Sequence, residues 1–307
     1  MTSSSDALAA LQAGPLAAKV APNAPLGPLT TYRVGGAAAA LVTLDTPADA
    51  AVLAEVIAAH PVDVLAIGRG SNLLVSDGGF DGLAVVLGNG FAEIQIDGHV
   101  VTAGAAAKLP VVARTTVQAG LAGFVWAVGV PGSIGGAVRM NAGGHGAEMS
   151  DALVDAEVLD LQTGEVSSRS NADLEFGYRS SSVGPNDLVL SARLELLDGD
   201  PVAGKAEMLE VVQWRRDNQP GGQNAGSVFT NPEGDSAGRL IDAAGLKGLR
   251  VGTAEVSDKH ANFIQADAGG RADDVRALMS EIQLRVEQAH GITLHFETHL
   301  VGFDHGD

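Results

Sequence analysis

The stretch GVPGSIGGAVRMNAGGHG, residues 129–146, decides how this chain is read. Glycines at Gly129, Gly132, Gly135, Gly136, Gly143, Gly144 and Gly146 leave several neighbouring backbone N–H groups free to converge. A pyrophosphate can be held that way, by amides, where no lysine is at hand. The common phosphate cradles are absent. Gly68-Arg69-Gly70 lacks the third glycine of a Rossmann fingerprint, and Gly204-Lys205 is followed by Ala206, which rules out a P-loop. On spacing alone, close packing between elements accounts for the glycines more readily than binding does.

Around this run lie 307 residues, 46% hydrophobic and 18% charged, enough for one substantial core or two unequal ones and too apolar for overall disorder. The cysteine count of 0 excludes disulfides, thiolate catalysis and cysteine-ligated metal centres. Against 37 Asp and Glu stand 19 Lys and Arg, a net charge of −18, so a nucleic acid meets repulsion and is not an expected partner. An anionic small molecule needs a local cationic pocket, and arginines in apolar settings become informative. The N-terminus has no cationic start and no apolar run of signal length, and no stretch reaches membrane-spanning length. A cytoplasmic protein without a membrane partner is expected. The 40 glycines and 4% aromatic content predict many tight turns and a core of Ala, Val and Leu.

Thr46 as N-cap, Pro47 at the first helical position and Asp49 in the first turn predict a helix after Thr46. A strand over 62–67, a glycine loop and a second strand over 73–76 follow. Alternation over 91–103 about Asp97-Gly98 predicts a two-residue hairpin, and a second hairpin is expected about Thr163-Gly164. A helix over 108–118 and a strand over 188–196 complete the first part. Beyond residue 200 the reading is a helix over 205–216, a loop rich in Gly, Pro, Asn and Asp, and a capped helix over 236–244. Two β-prone runs (249–256 and 262–266), a long amphipathic helix over 273–290 and an alternating strand over 292–303 follow. Few βαβ alternations argue for an α+β fold rather than a doubly wound sheet. The expected organisation is an N-terminal extension 1–20, a first domain 21–205 in two subdomains split near 90, a second domain 206–290, and a C-terminal strand 291–303 that carries Glu297 and returns to the first domain.

The remaining candidates have ordinary readings as well. His295 and His299, four apart in a strand, would be about 13 Å apart at about 3.3 Å per residue, so no metal site is expected there. Glu297 falls on the polar face of that strand, toward solvent or toward a site. Ser227 follows a glycine in an Asn- and Pro-rich loop, which is usual turn chemistry. No G-x-S-x-G elbow surrounds it and no His/Asp pair is assigned to it, so a hydrolase triad is not supported. Arg179, beside Tyr178, is either a surface ion pair or a functional cation in a chain short of cations.

Six blocks in order resemble the UDP-N-acetylenolpyruvoylglucosamine reductase family, the MurB flavoenzymes, over about residues 25–303. They are Thr31-Tyr32-Arg33-Val34-Gly35-Gly36, Gly68-Arg69-Gly70-Ser71-Asn72-Leu73-Leu74-Val75, the 129–146 run, Phe176-Gly177-Tyr178-Arg179-Ser180-Ser181, Gly226-Ser227-Val228-Phe229-Thr230-Asn231-Pro232, and the strand containing Glu297. The resemblance implies an α+β chain with an FAD-binding domain of the vanillyl-alcohol-oxidase/PCMH type and a smaller α+β substrate-binding domain. It implies FAD held by Arg33, Gly68, Gly70, Ser71, Asn72, Gly129, Pro131, Gly132, Ser133, Gly135, Gly136, Asn141, Gly143 and Gly146, with NADPH as reductant and no metal. The implied substrate is UDP-N-acetylglucosamine enolpyruvate, with Tyr178 and Asn231 on the substrate and UDP-N-acetylmuramate, a peptidoglycan precursor, as product. A monomer acting on a UDP-sugar is expected.

In that family, hydride transfer from reduced flavin to the terminal alkene carbon leaves negative charge on the adjacent carbon and its carboxylate. By match, Arg179 and Glu297 stabilise that charge and Ser227 supplies the proton; Glu297 can help only if protonated or through a hydrogen bond. The chain departs from the pattern at Thr230, where lysine is common, at Glu297-Thr298-His299, where Glu-Val-Arg is usual, and at His145, where tyrosine is common. The short 177–185 segment resembles the subclass without a tyrosine lid. Two other readings are a flavin or nucleotide-sugar binder without turnover and an oxidase of the wider flavin family. Intact Arg179, Ser227 and Glu297 argue against the first, and the Gly-Ser-x-Phe-x-Asn-Pro block against the second.

Overall fold

The computed structural model describes residues 4–303; the first three residues of the expected N-terminal extension lie outside the described residues. Local signals act as their chemistry requires. The Thr46 hydroxyl accepts the Asp49 N–H at 3.2 Å and the Asp49 carboxylate accepts the Thr46 N–H at 2.9 Å, a reciprocal box that starts the helix Pro47–Ala59. The chain forms two compact units. The first holds 4–22, Ala39–Arg69 and Gly82–Arg215; the second holds Asn23–Ala38, Gly70–Asp81 and 216–303.

In the first unit, five strands form an antiparallel sheet in the order Val166–Ser170, Leu153–Asp160, Asp187–Glu195, Val100–Gly104, Ile94–Asp97. Alternate residues such as Val101 and Ala103, or Ala192 and Leu194, are buried with Leu109, Val112, Ile134 and Val138 of the helices Leu109–Gln118 and Ile134–Met140. A second core forms where Leu53 and Ile57 meet Ala40, Val42, Leu44, Leu83 and Val85. Those last five belong to strands of a four-stranded sheet, ordered Val20–Pro25, Ala37–Leu44, Phe80–Leu87, Val64–Ala66, that lies wholly or in part in this unit. Each fully buried leucine stabilises the unit by roughly 2 kcal/mol.

The second unit is built on the helix Ala272–His290, whose Ala272, Val275, Leu278, Met279, Ile282 and Val286 form one buried stripe. Against it pack Leu240 and Ile241 of the helix Ala237–Ala243 and a three-stranded antiparallel sheet, Arg250–Val251, Ala254–Val256 and Ile264–Ala266. Tyr32, Val34 and Leu74 join this core, and Asp77 caps the long helix by accepting the N–H groups of Ala272 and Asp273 at 3.0 and 3.2 Å.

Three sequence expectations are corrected. The boundary expected at 205 falls inside the helix Pro201–Asn218, because Met208 and Val211 pack with Val117 and Val125 and keep that helix with the first unit as far as Arg215. The segments Asn23–Ala38 and Gly70–Asp81, expected in the first domain, belong to the second unit. The C-terminal strand is short: only His299–Val301 is strand, pairing parallel with Leu73–Val75 in the register His299↔Leu73, Leu300↔Leu74, Val301↔Val75. Glu297 therefore precedes the strand instead of sitting in its middle. Thr298 is buried at 3% exposure, as the apolar face of the expected alternation requires, but the pairing that makes a strand begins only at His299.

Candidate active site

A cavity of about 480 Å³ opens in the first unit, within the usual range for small-molecule sites. Gly68, Arg69, Lys108, Ser133, Gly136 and Arg139 are among the residues lining it. Ser133 is buried, its hydroxyl has no hydrogen-bond partner among the described residues, and a Cβ on Gly68 would stand 2.5 Å from that oxygen. Gly68 thus keeps the approach to a buried, unsatisfied hydroxyl clear, and such a group needs an external partner. Three cations line the cavity against one carboxylate, Asp187. Burial works against the Asp187 carboxylate, but a bidentate pair from Arg169 at 2.8 and 2.6 Å and the Gly184 N–H at 2.7 Å hold its pKa below the usual range. Burial pushes Arg139 down, opposed by the charge of Asp187. An orphaned hydroxyl, a glycine-cleared wall and surplus positive charge in a chain of net charge −18 fit the phosphate-bearing part of a dinucleotide. Sequence reading missed Arg69, Lys108, Arg139 and Asp187; Arg139, a cation inside the glycine run, was the available signal.

The sign of the Asp187 shift gives a stability prediction. Asp187→Asn is expected to cost about 2 kcal/mol near neutral pH. A carboxylate with a lowered folded pKa stabilises above its unfolded value of about 3.9 and loses that contribution as pH falls through the folded value. Denaturant melts of the two proteins should therefore differ at neutral pH and converge in acid. Equal differences at both would remove the ion pair as the cause.

The glycine run is divided between packing and lining. The amides of Ile134 and Gly135 donate at 2.9 Å to Ala107 O and Ala105 O, so these two fix the run to segment 105–107. Added Cβ atoms on Gly129, Gly132 and Gly135 would meet Val211, Leu109 and Ala105 at 2.9, 3.0 and 3.0 Å, respectively. Pro131 and Gly136 are exposed. Asn141 is fully buried and committed internally: its Nδ2 donates to Glu148 Oε1 at 2.8 Å and Gly177 O at 3.0 Å, and its Oδ1 accepts from Ser150 N at 3.0 Å. Gly143 pairs with Glu148, and His145 and Gly146, at φ 55° and 84°, make the two-residue turn of that hairpin. His145 lies edge-on to Trp214, 5.1 Å between ring centres.

Arg179 occupies the third position of a tight turn in which Gly177 and Ser180 exchange backbone hydrogen bonds at 3.1 and 3.3 Å. Its φ of 55° lies in the left-handed region, where glycine or asparagine is the usual occupant. The guanidinium lies 5.0 Å from the centre of the exposed Tyr178 ring and donates to Asn141 O at 3.3 Å and Gly143 O at 3.2 Å. The turn thus ties Arg179 to the end of the glycine run. Backbone strain of this kind collects at functional sites.

In the second unit, Asn224 Oδ1 accepts the Gly226 N–H at 3.1 Å, and Gly226 at φ 77° turns the chain into Ser227. The turn reading of this loop is correct, yet the Ser227 hydroxyl itself bonds to no group among the described residues. Asn262 brackets Phe229, two residues on, its Oδ1 accepting Phe229 N at 3.0 Å and its Nδ2 donating to Phe229 O at 2.8 Å. The segment after Ser227 then pairs with the one before the last strand: Glu297 N donates to Val228 O at 2.8 Å, Phe229 bridges Phe296, and Thr230 N donates to His295 O at 2.9 Å. Ser227 and Glu297, 70 positions apart in sequence (297 − 227), become near neighbours in backbone register.

Other expected residues of this unit are placed as follows. Asn231 Oδ1 accepts Ala237 N at 3.1 Å. Thr230 Oγ1 donates to His295 O at 3.3 Å, so this departure from the family pattern turns its hydroxyl to the backbone. Arg33 is exposed at φ 56°, and Ser71 is half-buried. Gly70, at φ 58°, lies where a Cβ would meet Leu29 O at 2.2 Å, a close backbone approach that only glycine allows. The Asn72 side chain donates to Glu297 O at 2.9 Å. Among the described residues, no group of three or more His, Cys, Asp or Glu is arranged to hold a metal ion, and no helix is long and apolar enough to cross a membrane.

Comparison with known proteins supplies the relatives. A family model for the UDP-N-acetylenolpyruvoylglucosamine reductase C-terminal domain matches residues 218–301, and one for an FAD binding domain matches 38–169. The UDP-N-acetylenolpyruvoylglucosamine reductase of Paramagnetospirillum magneticum is 45% identical over 283 residues, 91% of each chain. That of Bradyrhizobium sp. is 42% identical over 284 residues, again 91% of each. The crystal structure of UDP-N-acetylenolpyruvylglucosamine reductase (MurB) from Thermus caldophilus matches with a TM-score of 0.79 at 36% identity, covering 92% of this chain and 98% of that one.

Proposed function

This chain belongs to the UDP-N-acetylenolpyruvoylglucosamine reductase family, and we propose that its Ser227, Arg179 and Glu297 carry the chemistry of that family's reaction. The protein is an FAD-dependent reductase that uses NADPH to convert UDP-N-acetylglucosamine enolpyruvate to UDP-N-acetylmuramate in peptidoglycan precursor synthesis. When bound, the flavin supplies the hydride, which it takes from NADPH.

The chain's own residues do the rest. Arg69, Lys108 and Arg139, with the Ser133 hydroxyl, hold the cofactor's phosphates in the cavity of the first unit. Arg139→Ala is expected to weaken FAD binding by about 100-fold, read as flavin retained after dialysis and by fluorescence titration of the stripped protein. Unchanged affinity would leave the cavity without its assigned ligand. Arg179 meets negative charge developing on the substrate carboxylate with a planar pair of N–H donors. Glu297, in its protonated form, donates a hydrogen bond to the same charge. The Ser227 hydroxyl gives its proton to the substrate's second carbon.

The observation that supports this assignment is the backbone hydrogen bond from Glu297 N to Val228 O, which brings the chain next to Ser227 into register with Glu297. We further take the protein to work as a monomer in the cytoplasm, without nucleic acid, as its net charge of −18 favours. The flavin-binding part is proposed to be the first unit, and the substrate-binding part the second. Anaerobic reduction of the purified protein by NADPH, followed by addition of the enolpyruvyl UDP-sugar, tests the reading. Return of oxidised flavin absorbance on addition supports it. A yellow protein that NADPH reduces and the sugar nucleotide leaves reduced would refute turnover and favour a binding protein.

A further inference from the structure

Glu297 stands outside regular structure, two residues before the parallel pairing of His299–Val301 with Leu73–Val75 takes over. The Glu297 carbonyl lies outside the ladder register, which begins at His299. The Asn72 side chain supplies a partner: Nδ2 donates to Glu297 O at 2.9 Å, while Asn72 O accepts the His299 N–H at 2.9 Å. One residue thus grips the chain on both sides of Thr298. Glu297 N is held in turn by Val228 O at 2.8 Å, so the peptide groups flanking the Glu297 Cα are fixed by two different segments. One segment carries Ser227 and the other is the glycine loop.

That loop is itself anchored. Thr31 N donates to Gly70 O at 3.1 Å, and Gly70 lies against Leu29 and Thr30 too closely to admit a side chain. Movement of Asn72 is therefore resisted from behind, and its amide is a rigid rest for the Glu297 backbone. Thr298 adds to the need for such a rest. It is buried with a hydroxyl that has no partner among the described residues, so its own side chain supplies no hydrogen bond to set the segment.

We infer that Asn72, whose motif the sequence reading assigns to the flavin, is a positioning residue for Glu297, setting the backbone from which that carboxyl group reaches substrate. This rests on the proposed role of Glu297. Its chemistry is specific: the task needs a side-chain donor of asparagine length, and an aspartate of the same shape can perform it only when protonated.

The test compares Asn72→Ala, Asn72→Asp and Glu297→Gln as flavin-loaded proteins, measuring the two half-reactions separately. Both Asn72 variants are expected to retain flavin and to be reduced by NADPH normally, and Asn72→Ala to be reoxidised by the enolpyruvyl UDP-sugar about 10- to 100-fold more slowly. Asn72→Asp should be equally slow at high pH and regain rate, relative to the unsubstituted protein, as its carboxyl protonates in mild acid. A mere loss of packing would not produce that profile. Hydrogen exchange should show faster exchange of the His299 amide region in Asn72→Ala. Normal reoxidation of both Asn72 variants beside a slow Glu297→Gln would overturn the inference, as would a slow Asn72→Asp with no recovery in acid. Loss of flavin in Asn72→Ala, with ordinary half-reaction rates in Asn72→Asp, would also overturn it and assign Asn72 to cofactor retention. A Glu297→Gln protein with unchanged rates would instead remove the proposed role of Glu297, and this inference with it.

Discussion

Ser227→Ala is expected to slow reoxidation of the reduced flavin by UDP-N-acetylglucosamine enolpyruvate by roughly 10³- to 10⁴-fold. Reduction of the flavin by NADPH should stay within about twofold, because that step needs no proton from this side chain. A serine hydroxyl is a weak acid near neutral pH, so its competence depends on a strongly basic substrate carbon and on close placement. The hydroxyl satisfies the second condition in a particular way. Gly226 and Asn224 fix the turn before it, Asn262 clamps the residue pair after it, and no internal acceptor competes for its proton. For the same reason the substitution should change stability by less than about 0.5 kcal/mol, since no internal hydrogen bond is lost. Stopped-flow absorbance resolves the two half-reactions. Equal slowing of both would count against the proton-donor role and point to a disturbed flavin environment.

What could be read from sequence follows from how local the cause is. The helix after Thr46 and the hairpin about Asp97-Gly98 were legible because capping and left-handed φ are decided within four residues, although Asp97 pairs with Val100 and the two turn residues are Gly98 and His99. The long helix Ala272–His290 was legible because its buried stripe repeats at helical spacing over 19 residues. Glu297 stood out on the polar face of an alternating run, but its role came only through the resemblance, and its place was misread as mid-strand. Its actual setting depends on Val228 and Asn72, the latter 225 positions away. The same holds for segments Asn23–Ala38 and Gly70–Asp81. Nothing in their composition announces that Tyr32 and Leu74 share a core with Ile264 and Val275. Glycines misled in the opposite direction: at Gly129 and Gly132 the bland packing reading was right, whereas Gly68 clears space before an orphaned serine.

Arg179 should prove replaceable for the fold and irreplaceable for the chemistry. Arg179→Gly is expected to slow reoxidation by the enolpyruvyl UDP-sugar by about 10²- to 10³-fold, the usual cost of removing one preorganised charge-stabilising group. Its effect on stability should stay within about 1 kcal/mol. Glycine relieves the left-handed φ of 55°, which offsets the lost hydrogen bonds to Asn141 O and Gly143 O and the added entropy of the unfolded chain. Arg179→Lys separates charge from shape. A lysine at this position keeps the positive charge and the strained backbone but presents a single point donor in place of a planar fork, so it should recover only part of the lost rate. The pair of variants discriminates between two accounts of the strain. If the left-handed turn exists to aim a guanidinium at developing negative charge, Gly is slow and stable and Lys is intermediate. If the turn serves only to tie the segment to Asn141 and Gly143, Gly loses stability and both variants reoxidise at the unsubstituted rate, which thermal melts and the second half-reaction would show together.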